Sequence, residues 1–132
     1  MPRKSKGQYP ANWKEIAQEV KDEAQWKCVR CGHPHDVKNG YVLTVHHLDL
    51  DPSNCRWWNL PALCQRCHLK IQAKVVMERI WMLPHSTWFK PYVAGYYAFQ
   101  FGLPDHQEFV MGRIDKLIQL GQARFILNET PL

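Results

Sequence analysis

Two cysteine pairs have the spacing that most directly suggests chemistry. Cys28 and Cys31 form one Cys-x-x-Cys motif, and Cys64 and Cys67 form a second. Two intervening residues allow both sulfurs of a pair to reach one ion, and four thiolates make the closed tetrahedral set that is typical of structural Zn²⁺. A redox-active pair requires one such motif rather than two. We therefore predict a structural zinc site with these four ligands, and we expect Cys55 to lie outside it.

Three histidines lie inside or beside this segment. His46 and His47 follow the apolar run at residues 41–45, and His68 directly follows the last cysteine of the second pair. Neighbouring residues on a helix point about 100° apart, so Cys67 can face the zinc while His68 faces another space. Neighbours on a regular strand face opposite sides, so His46 and His47 can share a site only where the strand ends or bulges. Their clustering favours a second metal site or a catalytic site.

Hydrophobic spacing and turn residues predict the elements that position these groups. Apolar residues at helical intervals follow Asn12 and Glu15, which together resemble a capping box. The aromatic-rich last third has two helical stripes separated by Gly102 and Pro104. The expected order is a helix over residues 12–25, a strand over 41–45, a return strand over 60–63, a helix over about 65–81, and two C-terminal helices. This mixture is an α+β fold.

Composition narrows the class of partner. The 132 residues suit one domain, and 17 basic against 12 acidic residues give a net charge of +5. Such a balance favours an anionic partner, most commonly nucleic acid, although a solvated charged surface is the alternative. No run reaches the roughly 18 apolar residues of a membrane span, and the basic N-terminus is unlike a secretory signal. We therefore expect a cytoplasmic protein without membrane contact, whose cysteines bind metal rather than form disulfides.

The motifs taken together resemble the HNH endonuclease family, in its zinc-bearing branch with two Cys-x-x-Cys knuckles. The resemblance rests on Val-His-His-Leu at residues 45–48, Asn-Leu at 59–60 and Leu-Cys-Gln-Arg-Cys-His at 63–68, and it covers about residues 28–72. It implies a small ββα-metal core with a four-cysteine structural zinc, flanked by an N-terminal helix and C-terminal helices. The corresponding domain organisation is a flexible basic arm (1–10), an HNH nuclease domain (11–82) and a helical extension that packs on the same domain (83–132).

The resemblance also implies roles for individual residues. His47 would be the general base that activates water, and Asn59 would hold its loop in place. His46 and His68 would bind a catalytic divalent ion, which could be Mg²⁺, Mn²⁺, Ni²⁺ or Zn²⁺. The family often has Asp at the position of His46, and Gln72 stands where some relatives have a further ligand. The implied activity is hydrolysis of DNA phosphodiester bonds by nicking or double-strand cleavage.

Basic residues near these motifs are candidates for contact with the DNA backbone, with a solvated charged face as the alternative. They are Arg56, Arg66, Lys70 and Lys74. A protein partner or a homodimer would fit cleavage of both strands by one small active site. The competing interpretation is a non-catalytic zinc-knuckle module that binds DNA, or a subunit of a DNA-processing complex. That interpretation explains the cysteines and the charge but assigns no role to the three histidines or to Asn59.

Overall fold

A computed structural model describes residues 7–72 and 86–129, with side chains up to residue 124. The chain divides into two compact units, Met1–Val76 and Met77–Leu132. The first contains a two-stranded antiparallel sheet with helices, and the second is helical, so the predicted α+β class is confirmed. None of the described helices has the length and apolar character needed to cross a membrane. The predicted helix over about residues 65–81 extends beyond the described residues, which leave out its residues 73–81, including Lys74.

The first unit opens with helix α1, Trp13–Glu23. Its predicted apolar stripe is present, because Ile16, Ala17 and Val20 are half-buried while the residues on the opposite face are exposed. The predicted capping box is wrong, since Asn12 makes no side-chain hydrogen bond to the helix. After the helix, Gln25 and Trp26 both adopt positive φ angles of 56° and 55°, which turns the chain into the first cysteine pair.

Two short strands form the sheet. Strand β1, Leu43–Val45, pairs antiparallel with β2, Ala62–Cys64, in a register that places Thr44 opposite Leu63. A single 3₁₀ turn, Trp57–Asn59, leads into β2, and helix α2, Gln65–Ile71, follows β2 without a connecting loop. Both strands are shorter than predicted. Backbone hydrogen bonds from the N–H groups of His46 and Leu48 to the carbonyls of Pro61 and Asn59 continue the contact between the two segments beyond the strands themselves. Helix α2 therefore starts directly at the end of a strand that is paired along its whole length.

Within its described residues, 86–129, the second unit has three helices, whereas the sequence predicted two. They are α3 (Lys90–Gln100), α4 (Gln107–Met111) and α5 (Ile114–Glu129). The expected single helix after Pro104 is interrupted at Gly112 and Arg113, which lie between α4 and α5. The core of the unit is formed by buried residues from all three helices, among them Val93, Ala94, Tyr97, Val110 and Leu117.

Helices α3 and α5 approach closely at Gly121. A Cβ atom built at this position would overlap the buried ring of Tyr97 on α3. The absence of a side chain at Gly121 therefore allows the Tyr97 ring to lie against the backbone of α5. Interior packing leaves little free volume for such a ring to move into, so the contact constrains both residues.

Replacing Gly121 by Ala should destabilise the protein. The added methyl group must displace the Tyr97 ring, and overpacking of this kind typically costs about 1–3 kcal/mol of unfolding free energy. Gly112→Ala is the matched control, since its Cβ would meet only the Phe109 carbonyl oxygen at 4.0 Å. Denaturant unfolding of the two variants measures the difference. Equal stability of Gly121→Ala and Gly112→Ala would contradict the close approach.

Candidate metal centres and the histidine cavity

The four cysteines come from two parts of the first unit. Cys28 and Cys31 lie on a turn that closes at Gly32, whose φ of +78° suits glycine. Cys64 ends β2 and caps α2 by accepting a hydrogen bond from the backbone N–H of Cys67. The four Sγ atoms lie within 4.8 Å of one another, and those of Cys31 and Cys64 are 3.8 Å apart. Since a tetrahedron with Zn–S bonds of ~2.3 Å has S–S edges of ~3.8 Å, the predicted metal-binding cluster is confirmed and can hold a structural zinc ion.

The surroundings of the cluster affect how readily its thiols ionise. Burial acts to raise the pKa of Cys28, but hydrogen bonds with backbone groups of Cys31, Cys64 and Arg30 outweigh it and lower the pKa to about 7. Burial raises the pKa of Cys67 to about 12, although Arg30 donates a hydrogen bond to its Sγ at 3.3 Å. Because metals bind the thiolate form, loading this cluster with zinc must displace protons.

Backbone hydrogen bonds connect the first cysteine pair to the sheet. The N–H of Val29 donates to the carbonyl of Ala62 at 2.9 Å, and the N–H of Cys28 donates to the carbonyl of His33 at 3.0 Å. The turn of Cys28 and Cys31 is therefore fixed beside β2, the strand that ends in Cys64. These contacts bring the two cysteine pairs together even though residues 32–63 separate them in sequence.

The three predicted histidines line one open cavity of about 220 Å³. β1 ends at Val45, and the turn that follows is closed by a hydrogen bond from the N–H of Leu50 to the carbonyl of His47. The rings of His46 and His68 lie with centroids 4.3 Å apart. The remaining lining residues are Tyr9, Val45, Leu50, Pro52 and Gln72. The break in the strand thus allows both adjacent histidines to border the same space.

All three imidazoles are held in the neutral form near pH 7. Burial, with repulsion from a charged His68 or His47, lowers the pKa of His46 to about 4. Burial also lowers the pKa of His47, although Asp49 and Asp51 partly oppose it, and burial lowers the pKa of His68. A neutral imidazole keeps one nitrogen lone pair, which can bind a metal ion or accept a proton. The cavity wall therefore presents bases rather than cations.

The orientation of His47 follows from its contacts. The backbone of Pro52 raises the pKa of His47 somewhat, against the lowering effect of burial. Its Nε2 is buried and has no hydrogen-bond partner among the described residues. The rings of Trp13 and Tyr9 lie 4.7 Å and 5.6 Å from that of His47. The His47 ring is thus held against two aromatic side chains.

His68 makes a polar contact with the sheet. Its Nδ1 lies 3.1 Å from the Oγ1 of Thr44, and this hydroxyl donates a hydrogen bond to the carbonyl of Leu63 at 2.7 Å. The first turn of α2 is consequently tied to β1 as well as to β2. Gln72, one turn further along α2, also lines the cavity.

Asn59 is fully buried and fixes the loop that follows the histidines. Its Oδ1 accepts a hydrogen bond from the N–H of Asp49 at 3.0 Å, and its Nδ2 donates to Asp49 Oδ1 at 2.8 Å and to the Asn54 carbonyl at 2.9 Å. The Asn54 side chain in turn donates to Asp49 Oδ2 at 2.7 Å. This network closes the loop of residues 49–54, which contains Pro52, a lining residue of the histidine cavity.

The predicted DNA-contact residues have different surroundings. Arg66 is bound to the loop at residues 39–41, because its guanidinium donates to the carbonyls of Asn39 and Gly40 and lies 4.2 Å from the centre of the Tyr41 ring. Arg56 is exposed and donates to the side chain of Asn54. Lys70 is exposed on α2. Arg66 therefore supports the loop structurally, while Arg56 and Lys70 lie at the surface.

Several residues at the site had no role in the sequence interpretation. Thr44 contacts His68, Tyr9 and Trp13 lie against His47, and Asp49 holds Asn59. A signal existed for Thr44, because it lies two residues before His46 and alternate residues of a strand share a face. The contacts of Tyr9, Trp13 and Asp49 join segments that are far apart in sequence, so local patterns could not predict them.

Comparison with known proteins gives one partial similarity. The chain is 35% identical over 68 residues to the Zorya protein ZorE of Escherichia coli, and the match covers 51% of this chain and 18% of the relative. This chain therefore spans less than a fifth of the length of the curated relative that it matches. No family model matches the chain, and no solved structure matches it significantly.

Removing one sulfur from the cluster should abolish tight zinc binding. Cys67→Ser leaves three thiolates and opens the tetrahedral site, and a structural zinc contributes directly to folding free energy. Metal analysis of the purified protein should give about one zinc per chain in the wild type and near none in Cys67→Ser. Cys55→Ser is the control, since Cys55 lies outside the cluster. Wild-type zinc content in Cys67→Ser would contradict this assignment.

Truncating Asn59 should loosen the loop of residues 49–54. Asn59→Ala removes three hydrogen bonds and leaves the contacts of the half-buried Asp49 incomplete, and a buried group left unsatisfied typically costs about 1–3 kcal/mol. Chemical denaturation should show this loss of unfolding free energy. Asn12→Ala, at an exposed position whose side chain makes no capping hydrogen bond, should change it by less than about 0.5 kcal/mol. Similar effects of the two substitutions would exclude a special role for Asn59.

Proposed function

We propose that the first unit is a metal-dependent endonuclease of the HNH type that hydrolyses DNA phosphodiester bonds. The observation that carries this proposal is the meeting of His46, His47 and His68 at one open cavity beside a four-cysteine cluster. A module that only bound DNA through its zinc knuckles would need neither a buried neutral histidine with an unprotonated nitrogen nor the Asn59 network that supports it. The net charge of +5 suits a polyanionic substrate.

The histidine pair fits a catalytic divalent ion better than a structural one. His46 and His68 offer two neutral imidazoles with ring centroids 4.3 Å apart at the wall of an open cavity. Two protein ligands leave coordination positions open for water and phosphate, whereas a closed structural site fills all four. A divalent ion bound there, such as Mg²⁺, Mn²⁺, Ni²⁺ or Zn²⁺, would stabilise the charge that develops on the phosphoryl and leaving oxygens.

His47 is the proposed general base. Its neutral imidazole accepts the proton of the attacking water, while the rings of Trp13 and Tyr9 keep it in place. Asn59 acts as a positioning residue, because it closes the loop that carries Pro52. Arg56, Lys70 and Lys74 are the proposed phosphate contacts, and Arg66 contributes through the loop that it supports.

The similarity to ZorE supports a setting for this activity. We infer that the chain works in a Zorya-related context, with DNA as substrate and with protein partners or a second copy of the chain completing the machinery. The setting is inferred from the 35% identity over about half of this chain. Protein partners are inferred because ZorE is much longer than this chain.

The decisive test is plasmid cleavage with purified protein. Mg²⁺, Mn²⁺, Ni²⁺ and Zn²⁺ are compared with EDTA, and His47→Ala is compared with His106→Ala, which changes an exposed histidine of the second unit. We expect metal-dependent nicking or linearisation that falls about 10²- to 10⁴-fold in His47→Ala, since this is the usual contribution of a general base. His106→Ala should cleave normally.

Two results would count against the proposal. Equal cleavage by His47→Ala and wild type would remove His47 as the base. Absence of cleavage with every metal, together with salt-sensitive DNA binding, would favour the non-catalytic zinc-knuckle module instead.

A further inference from the structure

We propose that Thr44 is a positioning residue that selects the tautomer of His68 and thereby directs its metal-binding nitrogen into the cavity. The inference rests on the proposed function, since it deepens the account of the same metal site. It starts from two contacts of one hydroxyl group. The Oγ1 of Thr44 lies 2.7 Å from the carbonyl oxygen of Leu63 and 3.1 Å from Nδ1 of His68.

The number of protons that the Thr44 hydroxyl can donate decides which atom is the donor in each contact. A hydroxyl group has one proton to donate and lone pairs with which it accepts. The carbonyl of Leu63 can only accept, so the Thr44 proton goes to Leu63. Thr44 must then accept from His68, and the proton of that bond belongs to Nδ1. In a neutral imidazole the other nitrogen, Nε2, consequently holds the lone pair.

This tautomer is the one that a metal ligand at His68 requires. Histidines that bind metals commonly donate their second ring N–H to a neighbouring acceptor, which fixes both the ring orientation and the nitrogen that faces the metal. Here the acceptor is a hydroxyl, and its own proton is committed to the backbone of the paired strand. Chains of hydrogen bonds of this kind polarise and strengthen one another.

The fold supplies the rigidity that such a role needs. Thr44 lies in the middle of β1 and pairs directly with Leu63 on β2, so its hydroxyl position is set by the sheet. His68 lies on α2, which begins immediately after β2. The donor, His68, and the two acceptors, the Thr44 hydroxyl and the Leu63 carbonyl, therefore all belong to the two paired strands and the helix that follows them.

The first measurement reads the tautomer without DNA and without a metal ion added for the histidine cavity. Long-range proton–nitrogen NMR of the zinc-loaded full chain distinguishes an imidazole protonated on Nδ1 from one protonated on Nε2, and His68→Ala identifies the His68 signals. We expect the Nδ1-protonated form in the wild type and in Thr44→Ser, which keeps the hydroxyl. Thr44→Val keeps the shape but loses the acceptor, so it should shift the signals towards the Nε2-protonated form.

The second measurement is the affinity of the zinc-loaded protein for Ni²⁺, by titration calorimetry on protein without an affinity tag. Loss of an outer hydrogen bond to a ligating histidine commonly weakens metal binding about 10- to 100-fold, and we expect this for Thr44→Val. Thr44→Ser should bind like the wild type. Thr87→Val is the control, because Thr87 is exposed in the second unit.

The outcomes separate this proposal from the proposed nuclease activity. An Nε2-protonated His68 in the wild type, or an unchanged tautomer and unchanged Ni²⁺ affinity in Thr44→Val, would overturn the role of Thr44. Both readouts are made without DNA, so a protein that shows the expected tautomer and affinities but never cleaves DNA refutes the nuclease and supports Thr44. If Thr44→Val fails to fold, the wild-type tautomer and the Thr44→Ser comparison still decide the matter.

Discussion

The convergence of four thiolates is the constraint on which the first unit depends. The sheet has only two short strands, Leu43–Val45 and Ala62–Cys64, and pairs of this size are marginal in water without further support. The cluster joins the turn at Cys28 and Cys31 to the junction of β2 and α2, where Cys64 and Cys67 lie. The metal site therefore fixes the strand end, the helix start and, through them, the wall that carries the histidines.

The histidine cavity shows how a small fold sets protonation states without a large core. His46 and His47 are both buried, with the rings of Trp13 and Tyr9 against His47, and burial disfavours the charged imidazolium. Asp49 opposes this effect, but its carboxylate is already occupied by Asn59 and Asn54. One aspartate thus serves mainly to hold a loop, and the histidines remain neutral.

Sequence patterns predicted the parts of this architecture that are locally encoded. The paired cysteines predicted the cluster, and apolar spacing predicted α1 and the helical character of the last third. The ends of the strands and the break at Gly112 were not predictable, because they depend on pairing partners and on the packing of α3 against α5. The roles assigned to His46, His47, Asn59 and His68 came from a family resemblance and remain predictions. Tyr9 was missed because its contact joins segments far apart in sequence, whereas the alternation of the strand could have indicated Thr44.

The adjacency of Cys67 and His68 on α2 also limits how this segment can evolve. Each added or deleted residue in a helix turns every later side chain by about 100°. A single insertion between the two residues would aim the histidine away from its cavity while leaving the cysteine in place. The junction is therefore closed to changes in length, whereas the exposed turn at residues 102–104, which belongs to neither site, can accept them. Over evolutionary time the two sites should be inherited together, and variation in length should accumulate at that turn.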